Sequence, residues 1–325
     1  MNAFIKYISY FLPEKKLTND EIARLFPEWS ANKIIDKIGV ENRHISDTNQ
    51  FTSDLAIEAI NKLCSEYPVK KENIDFLILC TQSPDYLLPT TACIVQNKAG
   101  LSTHCGAIDI NQGCSGFIYG LTLAKGLILA KIAKNVLLVT AEMYTKHIHP
   151  SDKGNRSIFG DAASATLISS DGLYKIGEFS LGSDGMGAEN LIIKNGALKH
   201  PKTTDIETPN DNFLFMNGSE IFIFTIKTIP NLIIETLDKN NETISNIDQF
   251  IFHQANTYML EQLRKKINIP KDKFIIDMKE YGNTVSSTIP IALKNLISKS
   301  ENRDKILLAG FGVGYSWGAV TIYKQ

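Results

Sequence analysis

The sequence predicts a duplicated α/β chain whose sheets are covered by helices on both faces. Three observations carry that reading. First, segments repeat across the midpoint: ENIDFLILCTQS (72–83) matches SNIDQFIFHQAN (245–256), and AIDINQGCSGFIYGLTLAKGLI (107–128) resembles IIDMKEYGNTVSSTIPIALKNLI (275–297). NVLLVTAEMY followed by ASATLISS likewise resembles KILLAGFGVGYSWGAVTIY. Second, runs such as FLIL and KILLA are continuously apolar, as strands buried on both faces are. Third, amphipathic helical stretches alternate with them.

In chain order, MNAFIKYISYFLPEKK is apolar but broken by Lys6 and followed by no small-residue cleavage site, so it reads as a first strand and not a signal peptide. TSDLAIEAINKLCSEY reads as a helix, FLIL as a strand and GAIDI as a short buried strand. After it, Phe117, Leu121, Ala124 and Ile128 recur at helical spacing. NTYMLEQLRKKIN places Met259, Leu260, Leu263 and Ile267 on one helical face. The echo divides the chain into an N-terminal half over 1–172 and a C-terminal half over 173–325.

Composition narrows the function. The 325 residues are 43% hydrophobic with a formal net charge of −1, enough for a large core and without the concentrated basic face that nucleic acid requires. No uninterrupted apolar run reaches the ~18 residues of a membrane span. The five cysteines, Cys64, Cys80, Cys93, Cys105 and Cys114, are odd in number and form no C-x-x-C pair, which is the usage of a reduced, cytoplasmic chain. His147 and His149 stand two apart in KHIHP without a third ligand, so no metal site is expected.

Cys114 stands apart from the other four. It sits between a strand and a helix, flanked by Gly113, Ser115 and Gly116. An isolated thiol ionises near pH 8.5, and a helix N-terminus favours the thiolate. The residue is therefore placed as an acyl acceptor. His253 in FIFHQAN and Asn283 in EYGNTVSSTIP also follow expected strand ends, where ligands gather in such sheets. Alone, each has an ordinary reading: a satisfied histidine, and a Gly-Asn turn. Together they make a pair of donors for an oxyanion. The glycine-rich LAGFGVGYSWG offers a further backbone N–H.

Taken in order, GVENRHI (39–45), LLPTTAC (87–93), NQGCSGF (111–117), IFGDAASA (158–165), FHQAN (252–256), YGNTVSSTIP (281–290) and GFGVGYSWG (310–318) resemble the β-ketoacyl-acyl-carrier-protein synthase III family of the thiolase superfamily. The resemblance implies a duplicated, five-layer αβαβα thiolase-like fold, a homodimer and a cytoplasmic acyltransferase of fatty acid biosynthesis. It implies that Cys114 is acylated and that His253 and Asn283 bind a malonyl thioester and stabilise its enolate, with acyl carrier protein as partner. The oxyanion hole would be the amides of Cys114 and Val313. No cofactor is implied, since pantetheine arrives on the substrate.

Phe159 matches an aromatic near the active site, and Leu88 falls where the partner subunit caps the acyl pocket. Lys33, Lys37 and Lys153 occupy positions where many relatives use a tryptophan and arginines to hold coenzyme A, and Trp29 is out of register. Lysine cannot stack as a guanidinium does. Tyr258 replaces a common basic carrier-protein contact, while Arg264, Lys265 and Lys266 stay near the mouth. A specialised condensing enzyme, not an acetyl-coenzyme A primer, is therefore expected. The alternative is a related acyltransferase that delivers the acyl group to an alcohol or amine.

Other chemistries fit less well. A papain-like hydrolase shares the order Cys, His, Asn but lacks its local cysteine signature and gives no reason for duplication. A degradative thiolase needs a second cysteine late in the chain, and none follows Cys114. A hydroxymethylglutaryl-coenzyme A synthase needs a glutamate base where Gln82 stands.

Overall fold

The computed structural model describes residues 2–201, 209–299 and 303–325. Ten strands form one hydrogen-bonded sheet. They are β1 (Phe4–Phe11), β2 (Phe76–Cys80), β3 (Gly106–Ile110), β4 (Asn135–Glu142) and β5 (Ala162–Ser169), followed by β6 (Tyr174–Ser183), β7 (Gln249–Phe252), β8 (Phe274–Ile275), β9 (Lys305–Gly312) and β10 (Ser316–Lys324).

The spatial order is β3-β2-β4-β5-β1, then β6-β10-β9-β7-β8. β2 runs parallel to β3 and β4, while β5 is antiparallel to both β4 and β1. The later strands repeat this pattern: β7 is parallel to β8 and β9, and β10 is antiparallel to both β9 and β6. The two sets meet through β1 and β6, paired at Phe4 with Lys175 and Ile5 with Tyr174. The strands that echo in sequence thus occupy matching places in the two sets.

Helices α1 (Thr52–Glu66) and α2 (Thr91–Lys98) belong to the first set, and α4 (Gly218–Lys239) and α5 (Thr257–Ile267) to the second. Helices α3 (Gly116–Leu129) and α6 (Thr288–Ile297) touch strands of both sets. Burial follows strand alternation. Ile78 of β2 and Ile306 and Leu308 of β9 pack with Phe117, Leu121 and Leu293 in the central layer. Leu77 and Leu79 join the outer cluster that holds residues of α1 and α2, while Leu307 and Ala309 join the outer cluster beneath α4. This explains the unbroken apolar runs: β2 and β9 are buried on both faces.

Two expectations change. GAIDI is an edge strand, with Ile108 44% exposed, because β3 pairs only with β2. In the second repeat, β8 is two residues long, and the chain runs on through residues 276–287 before α6 begins. Asn283 therefore does not sit at a strand end. It pairs instead with Phe159 across the two sets: the Gly160 amide donates to Asn283 O at 3.0 Å and the Asn283 amide to Ile158 O at 2.9 Å. Gly282 makes that approach possible, with φ +70° and a Cβ position only 2.6 Å from Ile158 O.

Candidate active site

Cys114 lies between β3 and the first turn of α3, and is 7% exposed. A hydrogen-bonded turn, Gly116 N to Gly113 O at 2.8 Å, carries it into the helix. The Ser115 hydroxyl lies 2.7 Å from the Ser316 hydroxyl, which donates to Val313 O at 2.8 Å. The Cys114 turn is thereby tied to the β9–β10 hairpin. Gly312, at the end of β9, runs so close that a Cβ there would lie 2.9 Å from both Cβ and Sγ of Cys114. Only glycine fits beside the sulfur.

His253 follows β7, and its amide donates to Ala309 O of β9 at 2.8 Å. The ring is buried, with Nδ1 2.8 Å from Thr288 Oγ1 and Nε2 3.5 Å from Asn283 Nδ2. Asn283 Oδ1 accepts from the Val285 amide at 2.9 Å, which turns the amide NH2 towards the imidazole. Val285 has φ +54°, a costly conformation for a β-branched residue and typical of a strained functional turn. One turn thus orients both donors.

Cys114, His253, Asn283, Phe159, Met216 and Met259 line one cavity of about 170 Å³. Its walls are mostly apolar and come from both strand sets, with the sulfur, imidazole and carboxamide as convergent polar groups. Phe159 joins the trio because it pairs with Asn283, and its ring packs against Tyr144 at 5.3 Å between centroids.

The electrostatics correct one expectation. The helix N-terminus does not leave the resting thiol acidic: burial pushes Cys114 up to about 12, and the nearby Glu142 carboxyl adds to the rise. The amides of Cys114 and Val313 lie against the sulfur and pull the other way, but burial wins. His253 is pushed down to about 3 by burial, so the imidazole is neutral at physiological pH.

Sequence reasoning missed two residues. Glu142 ends β4 fully buried and rises to about 8. It accepts hydrogen bonds from the Gln82 amide at 3.1 Å, the Ser83 hydroxyl at 3.3 Å and the Ser286 hydroxyl at 3.1 Å, and so links the loop after β2 to the turn of Asn283. The signal was a lone carboxylate ending the apolar run NVLLVTAE. Thr288 is the other, and nothing in its motif marked it.

The remaining expected residues lie elsewhere. Lys33 and Lys37 place their ammonium groups 5.3 and 5.7 Å from the Trp29 ring centroid, and Lys153 pairs with Glu28 at 2.8 Å. All three are outside the cavity but gathered around Trp29, whose Nε1 donates to Ser157 Oγ at 3.0 Å. Trp29 therefore reaches this region despite its shifted place in sequence. Leu88 is 82% exposed and does not line the cavity of its own chain. Among the described residues, no group of three or more His, Cys, Asp or Glu is placed to hold a metal ion.

The chain is similar to known proteins over nearly its whole length. Residues 108–185 match the 3-oxoacyl-[acyl-carrier-protein] synthase III family, and residues 237–324 match its C-terminal counterpart. A β-ketoacyl-[acyl-carrier-protein] synthase III of Clostridium perfringens is 40% identical over 314 residues, covering 95% of each chain. The corresponding protein of Caldanaerobacter subterraneus is 37% identical, over 96% of this chain and 95% of its own. A crystal structure of a 3-oxoacyl-(acyl-carrier-protein) synthase III superposes with a TM-score of 0.95 at 44% identity, covering 99% of this chain and all of the other. The Burkholderia xenovorans enzyme gives 0.91 at 34% identity, over 100% of this chain and 94% of its own. With matches of this length and identity across its thiolase-like fold, the chain belongs to the β-ketoacyl-acyl-carrier-protein synthase III family of condensing enzymes.

Proposed function

We propose that this condensing enzyme passes an acyl group through Cys114 and joins it to a malonyl group carried by acyl carrier protein. The thiol attacks an acyl thioester, the acyl–sulfur bond to the donor breaks, and the thiol proton leaves on the departing sulfur. The amide N–H groups of Cys114 and Val313 hold the oxygen of the tetrahedral intermediate. A malonyl thioester then enters, with its carbonyl oxygen between His253 Nε2 and Asn283 Nδ2. Its carbon–carboxylate bond breaks, carbon dioxide leaves, and the electron pair forms an enolate held by those two donors. The enolate carbon attacks the acyl-Cys114 carbonyl, the carbon–sulfur bond breaks to release a β-ketoacyl thioester, and the Cys114 thiolate takes up a proton from water to restore the thiol. No cofactor is needed, because the pantetheine arm comes with the substrate.

One observation carries this reading: the sulfur, imidazole and carboxamide line a single buried cavity. A neutral imidazole keeps one N–H, which serves as a donor to the thioester oxygen when it is carried on Nε2. Mass spectrometry after incubation with acyl donors tests the first step. Adducts should appear on Cys114 and vanish in Cys114→Ser. In Asn283→Ala, acylation should persist while carbon dioxide release from malonyl-carrier protein falls about 100-fold. Unchanged release would favour acyl transfer to an alcohol or amine instead.

Further parts of the proposal concern setting. The lysine-flanked Trp29 lacks an arginine to sandwich an adenine, which supports a carrier-protein acyl donor over acetyl-coenzyme A. Lys265 and Lys266, exposed at the end of α5, would meet an acidic carrier, while Arg264 is held by Glu261 and the Ile269 carbonyl. Leu87 and Leu88, more than four-fifths exposed, together with the free edge at β3, support a homodimer in which Leu88 caps the partner's cavity. The repeated strand order supports halves at 1–172 and 173–325. Five free thiols support a cytoplasmic setting.

A further inference from the structure

The trio leaves one question of proton bookkeeping unanswered. Nε2 of His253 must carry a hydrogen to hold the thioester oxygen, and the imidazole is neutral, so Nδ1 must carry the lone pair. A buried lone pair of that kind needs a donor. The Thr288 hydroxyl lies 2.8 Å from Nδ1, and the Val285 carbonyl also hydrogen-bonds the ring. A carbonyl has no hydrogen to give. With the carbonyl alone, the proton would settle on Nδ1, and Nε2 would face the substrate as a second acceptor.

We propose that Thr288 is a positioning residue that sets the tautomer of His253, its hydroxyl donating to Nδ1 so that Nε2 keeps a hydrogen for the enolate oxygen. The inference rests on the condensation reading above. The hydroxyl has one hydrogen and two acceptors in reach, Nδ1 at 2.8 Å and Val285 O at 2.9 Å. Val285 O does not depend on it, because the Thr288 backbone amide already donates there. Nδ1 has no such substitute among the described residues. The site is also rigid: Thr288 is 1% exposed and opens α6, and His253 is 2% exposed. Asn283 is oriented from the same turn, since the Val285 amide takes its Oδ1. The two faces of the Val285 residue therefore sort both donors: its N–H turns the Asn283 amide outward, and its carbonyl leaves the Thr288 hydroxyl to the imidazole.

The test uses the full-length protein labelled with 15N-histidine, with His253 assigned by its loss in His253→Ala. In the wild type, Nε2 should be protonated and Nδ1 should not; a wild-type Nδ1–H tautomer overturns the inference without any variant. Thr288→Val should move the proton to Nδ1 and lower malonyl decarboxylation about 100-fold, the scale of one lost oxyanion donor. The acyl-enzyme at Cys114 should still form. Thr288→Ser should restore both the tautomer and a rate within a few-fold of wild type. Thr288→Val retaining wild-type decarboxylation overturns the inference while leaving the His253 assignment intact. Normal decarboxylation by His253→Ala overturns the assignment itself. If Thr288→Val loses acylation as well and Thr288→Ser fails to recover it, Thr288 is structural and the inference falls.

Discussion

Replacing Glu142 with glutamine should make the protein more stable, and increasingly so as the pH rises. Glu142 is fully buried, and its carboxyl titrates near 8 in the folded chain against 4.5 when free. An acid raised in this way favours folding only while it stays protonated. Between pH 4.5 and 8 the unfolded chain has already released the proton and the folded chain has not, so native stability declines across that window. At about 1.4 kcal/mol per pH unit, the wild type should lose about 4 kcal/mol relative to Glu142→Gln between pH 5 and pH 8.5. Glutamine keeps the hydrogen bonds: its carbonyl can accept from the Gln82 amide, and its NH2 can donate to Ser83 or Ser286. Urea denaturation of both proteins at half-unit pH steps would measure the difference. A second readout is Cys114, whose thiol Glu142 helps push up. Alkylation by iodoacetamide should shift to lower pH in the variant. Parallel stability curves, or an unchanged alkylation profile, would show that no buried ionisation of Glu142 acts on the thiol.

Decarboxylation should show no inflection near pH 6.5, because burial keeps His253 neutral down to about 3; a step near 6.5 that disappears in His253→Gln would contradict this. Gly312→Ala places a methyl 2.9 Å from the Cys114 sulfur, and acylation should fall about 100-fold, with the melting temperature lowered by a few degrees as overpacking a buried site does. An acylation rate close to wild type would mean that the sulfur moves aside freely. Leu88→Asp should weaken self-association in sedimentation velocity, with a change in acyl-chain preference; a wild-type profile in both would remove Leu88 from the interface.

How much of this was legible before the fold was known differs from residue to residue. Local repetition survived in the sequence because both strand sets solve the same packing problem. FLIL and FIF, AIDI and IID, and LLVTAE and LLAGFG alternate between the shared central layer and the outer layer of their own set. Cys114 was legible because a glycine-flanked cysteine at a strand–helix seam is a local pattern, and His253 because it ends a strand.

The acidity of Cys114 was not legible. A helix N-terminus is a local feature that lowers the pKa, whereas desolvation depends on everything packed above the sulfur, and here it is the larger effect. Asn283 was recognised from its motif but misplaced, since a bridge to Phe159 holds it and not a strand end. Glu142 and Thr288 went unread for the same reason. A buried carboxylate or hydroxyl takes its role from partners far along the chain, as Glu142 does from Ser286 and Thr288 from His253.

The sequence by itself determined the strands, the buried helices and the chemical identity of the three site groups, because those follow from short-range periodicity and residue type. Tertiary structure alone decided the protonation of those groups, the direction in which each donor points and the room left beside the sulfur. Burial, hydrogen-bond partners and close backbone approach are properties of distant segments brought together, and no single stretch of chain records them.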